Sequence, residues 1–154
     1  MNYELFYQKI EKSFSSYKTI IQITNKITTY LMYILYPVLL ILSKDIKILF
    51  IPMISFILVS VVRDKINRPR PYETHPIHPI IIKDTKGHSM PSRHVFSAVI
   101  ISMSYLYVNT TIGIILLLIS FILGMMRIIG GVHYISDVVV GYVIGLLCGL
   151  LYFM

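Results

Sequence analysis

Four long, uncharged and mostly apolar runs limit the possible folds of this chain more than any other feature of its sequence. They cover Ile27–Ser43, Ile48–Val62, Val95–Met126 and Val138–Met154. A membrane-spanning helix needs roughly 20 mostly apolar residues, with about 17 as the lower end. Charged residues make up 14% of the chain, whereas soluble domains hold about 25%. The sequence therefore predicts an all-α integral membrane protein.

The run Val95–Met126 is too long for one ordinary span. It contains a turn signal at 108–111, Val-Asn-Thr-Thr, with Gly113 close behind. Dividing the run there gives five predicted transmembrane helices, at about 27–43, 46–63, 92–108, 111–127 and 134–154. The alternative is one long tilted helix. With five spans, the loops 64–91 and 127–133 lie on the same face of the membrane, and with one long helix they lie on opposite faces.

The region before the first span has the pattern of a helix that lies on the membrane surface. Its apolar side chains recur at helical spacing, at Tyr3, Phe6, Tyr7, Ile10, Phe14, Tyr17 and Ile21. Charged residues lie between them, namely Glu4, Lys9, Glu11, Lys12 and Lys18. We therefore expect an amphipathic interfacial helix over residues 1–24, within a single membrane domain that covers residues 1–154.

Basic and histidine side chains concentrate between Arg63 and His94, which includes the loop 64–91. Four of the five histidines lie there, namely His75, His78, His88 and His94. A cytoplasmic loop that obeys the positive-inside rule would account for the lysines. It accounts less well for the sequence Arg-Pro-Arg-Pro at 68–71, because prolines stiffen the backbone and so fix the directions of the guanidinium groups.

A second polar cluster, from Arg127 to Asp137, lies at the boundary between the last two predicted spans. His133 and Asp137 are four residues apart, so on a helix they would share one face. A carboxylate beside an imidazole fixes its tautomer and stabilises a positively charged or phosphorylated ring. Each residue alone also fits a polar first turn of a helix. In the five-span topology both clusters form one site, whose arginines and histidines suit phosphoryl transfer.

Three motifs make the chain resemble the type-2 phosphatidic acid phosphatase superfamily, which includes bacterial acid phosphatases, glucose-6-phosphatase and vanadium haloperoxidases. The family pattern is Lys, six residues, Arg-Pro; then Pro-Ser-Gly-His; then Ser-Arg, five residues, His, three residues, Asp. This sequence has Arg63 and, after six residues, Arg70-Pro71, then Pro91-Ser92-Arg93-His94, then Met126-Arg127 with His133 and Asp137 at the family's spacing. The resemblance covers about residues 60–140.

The resemblance implies a role for each matching residue. His133 would be the nucleophile that forms a phosphohistidine, and Asp137 would orient it. His94 would protonate the leaving group and then activate water. The phosphate would be held by Arg63, Arg70, Ser92, Arg93 and Arg127, together with backbone amides at the helix start after Pro91. The chain departs from the family pattern at three positions, where Arg63 replaces lysine, Arg93 replaces glycine and Met126 replaces serine.

The implied activity is dephosphorylation of a membrane lipid phosphate, with no cofactor and no metal ion. Undecaprenyl diphosphate, phosphatidylglycerol phosphate and phosphatidic acid are candidates, and Arg68 and Arg93 as extra cations favour a diphosphate. The expected partners are this lipid and the bilayer, with no nucleic acid. The alternative is a degenerate lipid-phosphate-binding or structural membrane protein.

Two features of the sequence disagree about the side of the membrane on which the site lies. The resemblance implies a bacterial cell membrane with the site on the exterior face, which is our expectation. The positive-inside rule points instead to the cytoplasmic face, because four lysines would lie on the same face as the site, at Lys9, Lys12, Lys18 and Lys26.

Overall fold

The computed structural model describes residues 3–154, which form helices and loops without a β-strand. The helices are α1 (Tyr3–Phe14), α2 (Lys18–Leu42), α3 (Lys47–Ile66), α4 (Pro71–Thr74), α5 (Arg93–Val108), α6 (Thr110–Ile129) and α7 (Ile135–Gly149). Short 3-10 helices cover Ser15–Tyr17 and Leu150–Phe153. The predicted all-α fold is confirmed.

Three of the described helical stretches are long and apolar enough to cross a membrane, namely Tyr3–Leu42, Thr110–Ile129 and Ile135–Phe153. Helix α5 is apolar but has only 16 residues, and α3 has 20 residues with two basic side chains in its last turn. Large apolar side chains point outward from the bundle, as at Ile41, which is 80% exposed. Such a surface fits an integral membrane protein, while the number of five spans stays a prediction.

The connection between α5 and α6 consists of Asn109 alone. Its side chain caps α6 by accepting a hydrogen bond from the Ile112 N–H at 3.0 Å. Gly113 permits the close antiparallel contact that follows, because an added Cβ would lie 2.2 Å from the Leu106 Cα. The predicted turn within Val95–Met126 is therefore confirmed, and a single long helix is wrong.

Helix α5 lies at the centre of the bundle and packs mainly against α6 and α7. Small residues on α7 allow this approach. A Cβ added to Gly145 would lie 2.8 Å from the Val99 Cβ, and one added to Gly141 would lie 2.7 Å from the Ser92 carbonyl oxygen. The same contact joins the starts of the two helices, since the Ser92 N–H donates to the Asp137 carbonyl at 2.9 Å.

Helix α1 is shorter than the interfacial helix predicted over residues 1–24. It ends at Phe14, so residues 18–24 belong to the first turns of α2, while residues 1 and 2 lie outside the described part of the chain. Two consecutive serines explain the break, because a serine hydroxyl competes for backbone hydrogen bonds. The Ser15 hydroxyl donates to the Lys12 carbonyl at 3.3 Å.

The loop after α4 and the loop between α6 and α7 meet at one end of the bundle. Ile81 links them directly, because its N–H donates to the Gly130 carbonyl at 3.1 Å. The side chain of Gln22 on α2 donates to the Ile80 carbonyl at 2.7 Å, which fixes the first loop to the helices. The two polar clusters of the sequence therefore lie on the same face, as the five-span topology predicts.

Candidate active site

His133 and Asp137 form a buried pair at the start of α7. Both side chains are fully buried, and His133 Nδ1 lies 3.6 Å from Asp137 Oδ2. The same carboxylate oxygen accepts a hydrogen bond from the Tyr134 N–H at 2.9 Å, so the backbone of the helix start holds it in place. Because the carboxylate faces Nδ1, the other ring nitrogen, Nε2, is left to react.

The electrostatic surroundings of His133 keep its ring neutral. Burial lowers the pKa of His133 to about 4, and the charges of Arg70 and Arg127 act in the same direction, against the effect of Asp137. The ring is therefore uncharged at pH 7, and a neutral imidazole carries the lone pair that a nucleophile needs. Arg70 Nη1 lies 3.5 Å from His133 Nε2, so a cation faces the reactive nitrogen.

Ser89 also contacts this pair, although it lies outside the three sequence motifs. Its hydroxyl donates to Asp137 Oδ2 and lies 3.4 Å from His133 Nδ1. The Ser89 N–H donates to the Arg68 carbonyl at 2.9 Å, which fixes the residue in the loop. The hydroxyl therefore connects the carboxylate and the ring. The burial of Ser89 could not be predicted from the sequence, because residues in a loop follow no periodic pattern of buried and solvated positions.

Arg68 pairs with Asp137, which differs from the role as an extra phosphate ligand that the sequence favoured. Its Nη1 lies 2.8 Å from Asp137 Oδ1 and 2.8 Å from the Ser136 hydroxyl. The guanidinium also lies over the Tyr134 ring, 4.1 Å from its centroid. A charge-assisted hydrogen bond of this kind orients a carboxylate and keeps it ionised. Arg68 Nη1 is thus engaged by Asp137.

Arg70 is 1% exposed and joins the two loops of the site. Its Nε donates to the Gly87 carbonyl at 3.1 Å, and its Nη1 donates to the Val132 carbonyl at 3.0 Å. Glu73 completes the arrangement by accepting from the N–H groups of Arg70 and Gly87, at 2.9 and 2.8 Å. These bonds direct the guanidinium towards His133.

Three more predicted phosphate ligands, Arg63, Arg127 and Ser92, are buried around the same place. Arg63 Nη1 donates to the Pro91 carbonyl at 3.1 Å. Within residues 3–154, Arg127 Nε and the Ser92 hydroxyl are buried and have no hydrogen-bond partner. A buried polar group in that state costs free energy unless a ligand satisfies it. Phosphate oxygens accept hydrogen bonds from both groups.

Arg93 and His94 begin α5 and line a cavity of about 150 Å³. The Arg93 guanidinium lies 5.4 Å from the centroid of the Phe56 ring, which also lines the cavity. His94 interacts electrostatically with Arg127 and His133. The structure therefore brings all eight predicted site residues to one place, while their individual roles stay predictions.

Lys83 is a further cation of this site and lies outside the three sequence motifs. Burial and, to a smaller extent, the neighbouring charges lower its pKa to about 7; these charges come from Arg70, Arg127, Arg63 and Arg93. The salt bridges among residues 3–154 do not include Lys83, and the buried carboxylate of Asp137 is already paired with Arg68. The site thus combines an excess of positive charge with unpartnered donors, which a phosphate group would balance.

These features define the chain as a helical membrane protein with a cluster of buried arginines and a buried histidine at one end of its bundle. The family model described as "PAP2 superfamily" matches residues 45–154, which is more than half of the chain. The chain therefore belongs to the PAP2 superfamily, and the family resemblance stated from its three motifs is confirmed.

Named relatives give a finer comparison. The sequence is similar to the undecaprenyl-diphosphatase BcrC of Bacillus subtilis (strain 168), with 35% identity over 85 residues, which cover 55% of this chain and 44% of that protein. The match thus spans less than half the length of that relative. The fold is similar to the crystal structure of Aquifex aeolicus LpxE, with a TM-score of 0.73 and 27% identity, over 87% of this chain and 86% of that one.

A second solved structure shows the same fold at lower sequence similarity. It is a transmembrane PAP2-type phosphatidylglycerolphosphate phosphatase from Bacillus subtilis, with a TM-score of 0.57 and 20% identity. The match covers 96% of this chain and 90% of that one. At this identity the comparison concerns the fold alone.

Proposed function

We propose that this chain hydrolyses a membrane lipid phosphate or diphosphate through a phosphohistidine intermediate on His133. The main support is the buried pair of His133 and Asp137, whose reactive nitrogen faces the Arg70 guanidinium. His133 Nε2 attacks phosphorus, so that a P–N bond forms as the P–O bond to the lipid breaks, and the leaving oxygen takes a proton from His94. Water, which returns a proton to His94, then attacks phosphorus, breaks the P–N bond and releases inorganic phosphate.

The arginines stabilise the charge of the transferring group in this mechanism. Bidentate guanidinium groups match the geometry of phosphate oxygens, and preorganised donors act most strongly where water is excluded. Arg70 and Arg127 are 1% and 4% exposed, so both donate from a dry site. Among residues 3–154, no group of three or more His, Cys, Asp or Glu side chains is placed to hold a metal ion. We therefore assign charge stabilisation to the arginines.

An apolar groove between α2, α3 and α5 supports a lipid as the substrate. Its volume is about 400 Å³, and its lining includes Met32, Tyr36, Pro37, Leu49, Pro52, Met53 and Ile57. Tyr33, Phe56 and Ser97 line both this groove and the cavity that holds Arg93 and His94. A hydrocarbon tail in the groove would therefore carry its phosphate to the start of α5.

We favour a lipid diphosphate, such as undecaprenyl diphosphate, over a monophosphate. The uncompensated positive charge of the site is the first reason, and the name of the relative BcrC, an undecaprenyl-diphosphatase, is the second. Arg68 Nη1 is paired to Asp137, and we assign the second phosphate to Lys83 and Arg93, which form no ion pair among residues 3–154. We also propose that the site lies on the exterior face of a bacterial cell membrane, as the family resemblance implies.

Replacing Lys83 by Met tests this preference. We expect kcat/KM to fall about tenfold for a lipid diphosphate and less than about threefold for a lipid monophosphate, since one charged hydrogen bond to phosphate is lost. The pKa of Lys83 is about 7, so its ammonium is present below pH 7 and lost above it. The wild-type preference for the diphosphate should therefore decline between pH 6 and pH 8, and the variant should show no such decline.

The exposed Lys86 in the same loop provides the matched control. Lys86→Met removes the same charge from the loop but should change neither substrate's kcat/KM by more than about twofold, because surface charges interact weakly through solvent. Equal losses for diphosphate and monophosphate in the Lys83 variant would remove the argument for a second phosphate site.

Phosphate release from three lipids in detergent micelles tests the proposed function itself. Undecaprenyl diphosphate, phosphatidylglycerol phosphate and phosphatidic acid would be assayed side by side, and we expect the diphosphate to react fastest. Release should persist with excess EDTA and be suppressed by vanadate, which mimics five-coordinate phosphorus. Lipid binding without release would favour the non-enzymatic alternative, and loss of activity with EDTA would contradict a metal-independent mechanism.

A further inference from the structure

Helix α1 lies outside the matched region 45–154, yet one of its side chains contacts the proposed nucleophile. The Tyr7 hydroxyl donates to the backbone carbonyl oxygen of His133 at 2.7 Å. Tyr7 is 2% exposed and His133 is fully buried, so no water competes for the bond. A segment remote in sequence from the three motifs therefore reaches the backbone of the reactive residue.

The loop that carries His133 depends on such side-chain contacts. Gly131 has a φ of +73°, a left-handed conformation that interrupts the helical hydrogen bonding of α6. The two carbonyls that follow are bound by side chains from distant segments: Arg70 binds that of Val132 at 3.0 Å, and Tyr7 binds that of His133. Because a peptide plane sets the direction of the attached Cα–Cβ bond, these two bonds fix the direction in which the His133 side chain leaves the backbone.

Tyr7 is itself held firmly by aromatic packing. It belongs to a cluster with Ile77 and Tyr134, against which Tyr3, Phe6 and Tyr72 also pack. The Tyr3 ring meets the Tyr134 ring edge to face, with centroids 5.0 Å apart. The Tyr134 ring also lies beneath Arg68, the partner of Asp137. Helix α1 therefore supports both members of the buried pair.

We propose that Tyr7 is a positioning residue for His133, and that α1 is thereby a functional part of the active site. The hydroxyl fixes the His133 peptide so that Nε2 points at the phosphorus atom. It does not touch the lipid groove or the phosphate ligands, so its effect falls on the chemical step and not on substrate binding. The inference depends on the proposed function, in which His133 is the nucleophile.

Tyr7→Phe provides the test, because it removes the hydroxyl and keeps the packed ring. We expect kcat to fall about tenfold to thirtyfold with KM for the lipid unchanged, since misorientation of a reacting atom slows chemistry without weakening binding. The rate of phosphohistidine formation, measured by rapid quench with a radiolabelled lipid phosphate, should fall by the same factor.

Tyr152→Phe is the matched control for a purely structural effect. Tyr152 is 1% exposed, and its hydroxyl lies 2.6 Å from the Ser104 hydroxyl, away from the active site. Both variants lose one buried tyrosine hydrogen bond, so their thermal unfolding midpoints should fall by similar amounts, but kcat should fall only in Tyr7→Phe. Equal kcat values in the two variants, or a change confined to KM, would overturn the positioning role. Failure of the proposed function would appear separately, as wild-type protein that forms no phosphohistidine.

Discussion

His133→Ala is expected to lower the rate of phosphate release by at least about 10,000-fold, because it removes the group that forms the covalent intermediate. In the wild-type protein, His133 Nε2 faces Arg70 and His133 Nδ1 faces Asp137. The alanine variant leaves no imidazole between these two side chains. The measurement is inorganic phosphate released from a lipid diphosphate in detergent. In a parallel measurement, phosphate bound covalently to the wild-type protein should be labile in acid and stable in alkali, which would identify a phosphohistidine.

His78→Ala is the control for the His133 variant. His78 lies exposed in the loop after α4, so its removal should leave release within about twofold of wild type, as for most surface substitutions. A thermal unfolding scan of both variants separates lost chemistry from lost folding. If folded His133→Ala released phosphate within tenfold of the wild-type rate, the covalent mechanism would be wrong.

His94→Asn is expected to lower release from a lipid phosphate by about 1,000-fold, because general acid–base catalysis contributes roughly 100- to 10,000-fold. The loss should depend on the leaving group. The nitrophenolate of p-nitrophenyl phosphate leaves without a proton, so the first step should survive while hydrolysis of the phosphohistidine stays slow. Stopped-flow absorbance should then show a burst of nitrophenolate, with about one equivalent per enzyme, followed by slow turnover.

Ser97→Ala is the matched variant for His94, because Ser97 lines the same cavity but carries no group that titrates near neutral pH. It should show neither the burst nor a loss that depends on the leaving group. If His94→Asn lost the same factor on lipid and aryl substrates without a burst, His94 would act in binding and not in proton transfer.

The parts of the site that lie close together along the chain could be predicted from the sequence. His133 lies in the loop two residues before α7, and Asp137 lies in the first turn of that helix. The short separation in sequence still brings the ring to the carboxylate, with His133 Nδ1 3.6 Å from Asp137 Oδ2. The directions of Arg68 and Arg70 could not be predicted, although they are two residues apart. A loop has no fixed period, and the two guanidinium groups take different partners, the Asp137 carboxylate and the backbone carbonyls.

Contacts between distant segments account for the other site residues that the sequence did not predict. Ser89 and Tyr7 reach His133 across 44 and 126 residues of sequence, and no local pattern connects positions so far apart. Composition predicted the helical fold because a bilayer requires internally hydrogen-bonded segments. The span predicted over 27–43 is shorter than α2, which runs from Lys18 to Leu42. Helical hydrogen bonding continues through polar residues, and a count of apolar residues leaves these out.

The unequal lengths of α5 and α6 determine the depth of the reacting groups. Helix α5 has 16 residues and α6 has 20, so at ~1.5 Å per residue α5 is about 6 Å shorter. Because Asn109 ties the two helices at the far end, the start of α5 with His94 lies recessed below the end of α6. A phosphate bound at that depth would leave bulk water for a medium of lower dielectric constant. There the attraction of each guanidinium is several times stronger than at the open surface.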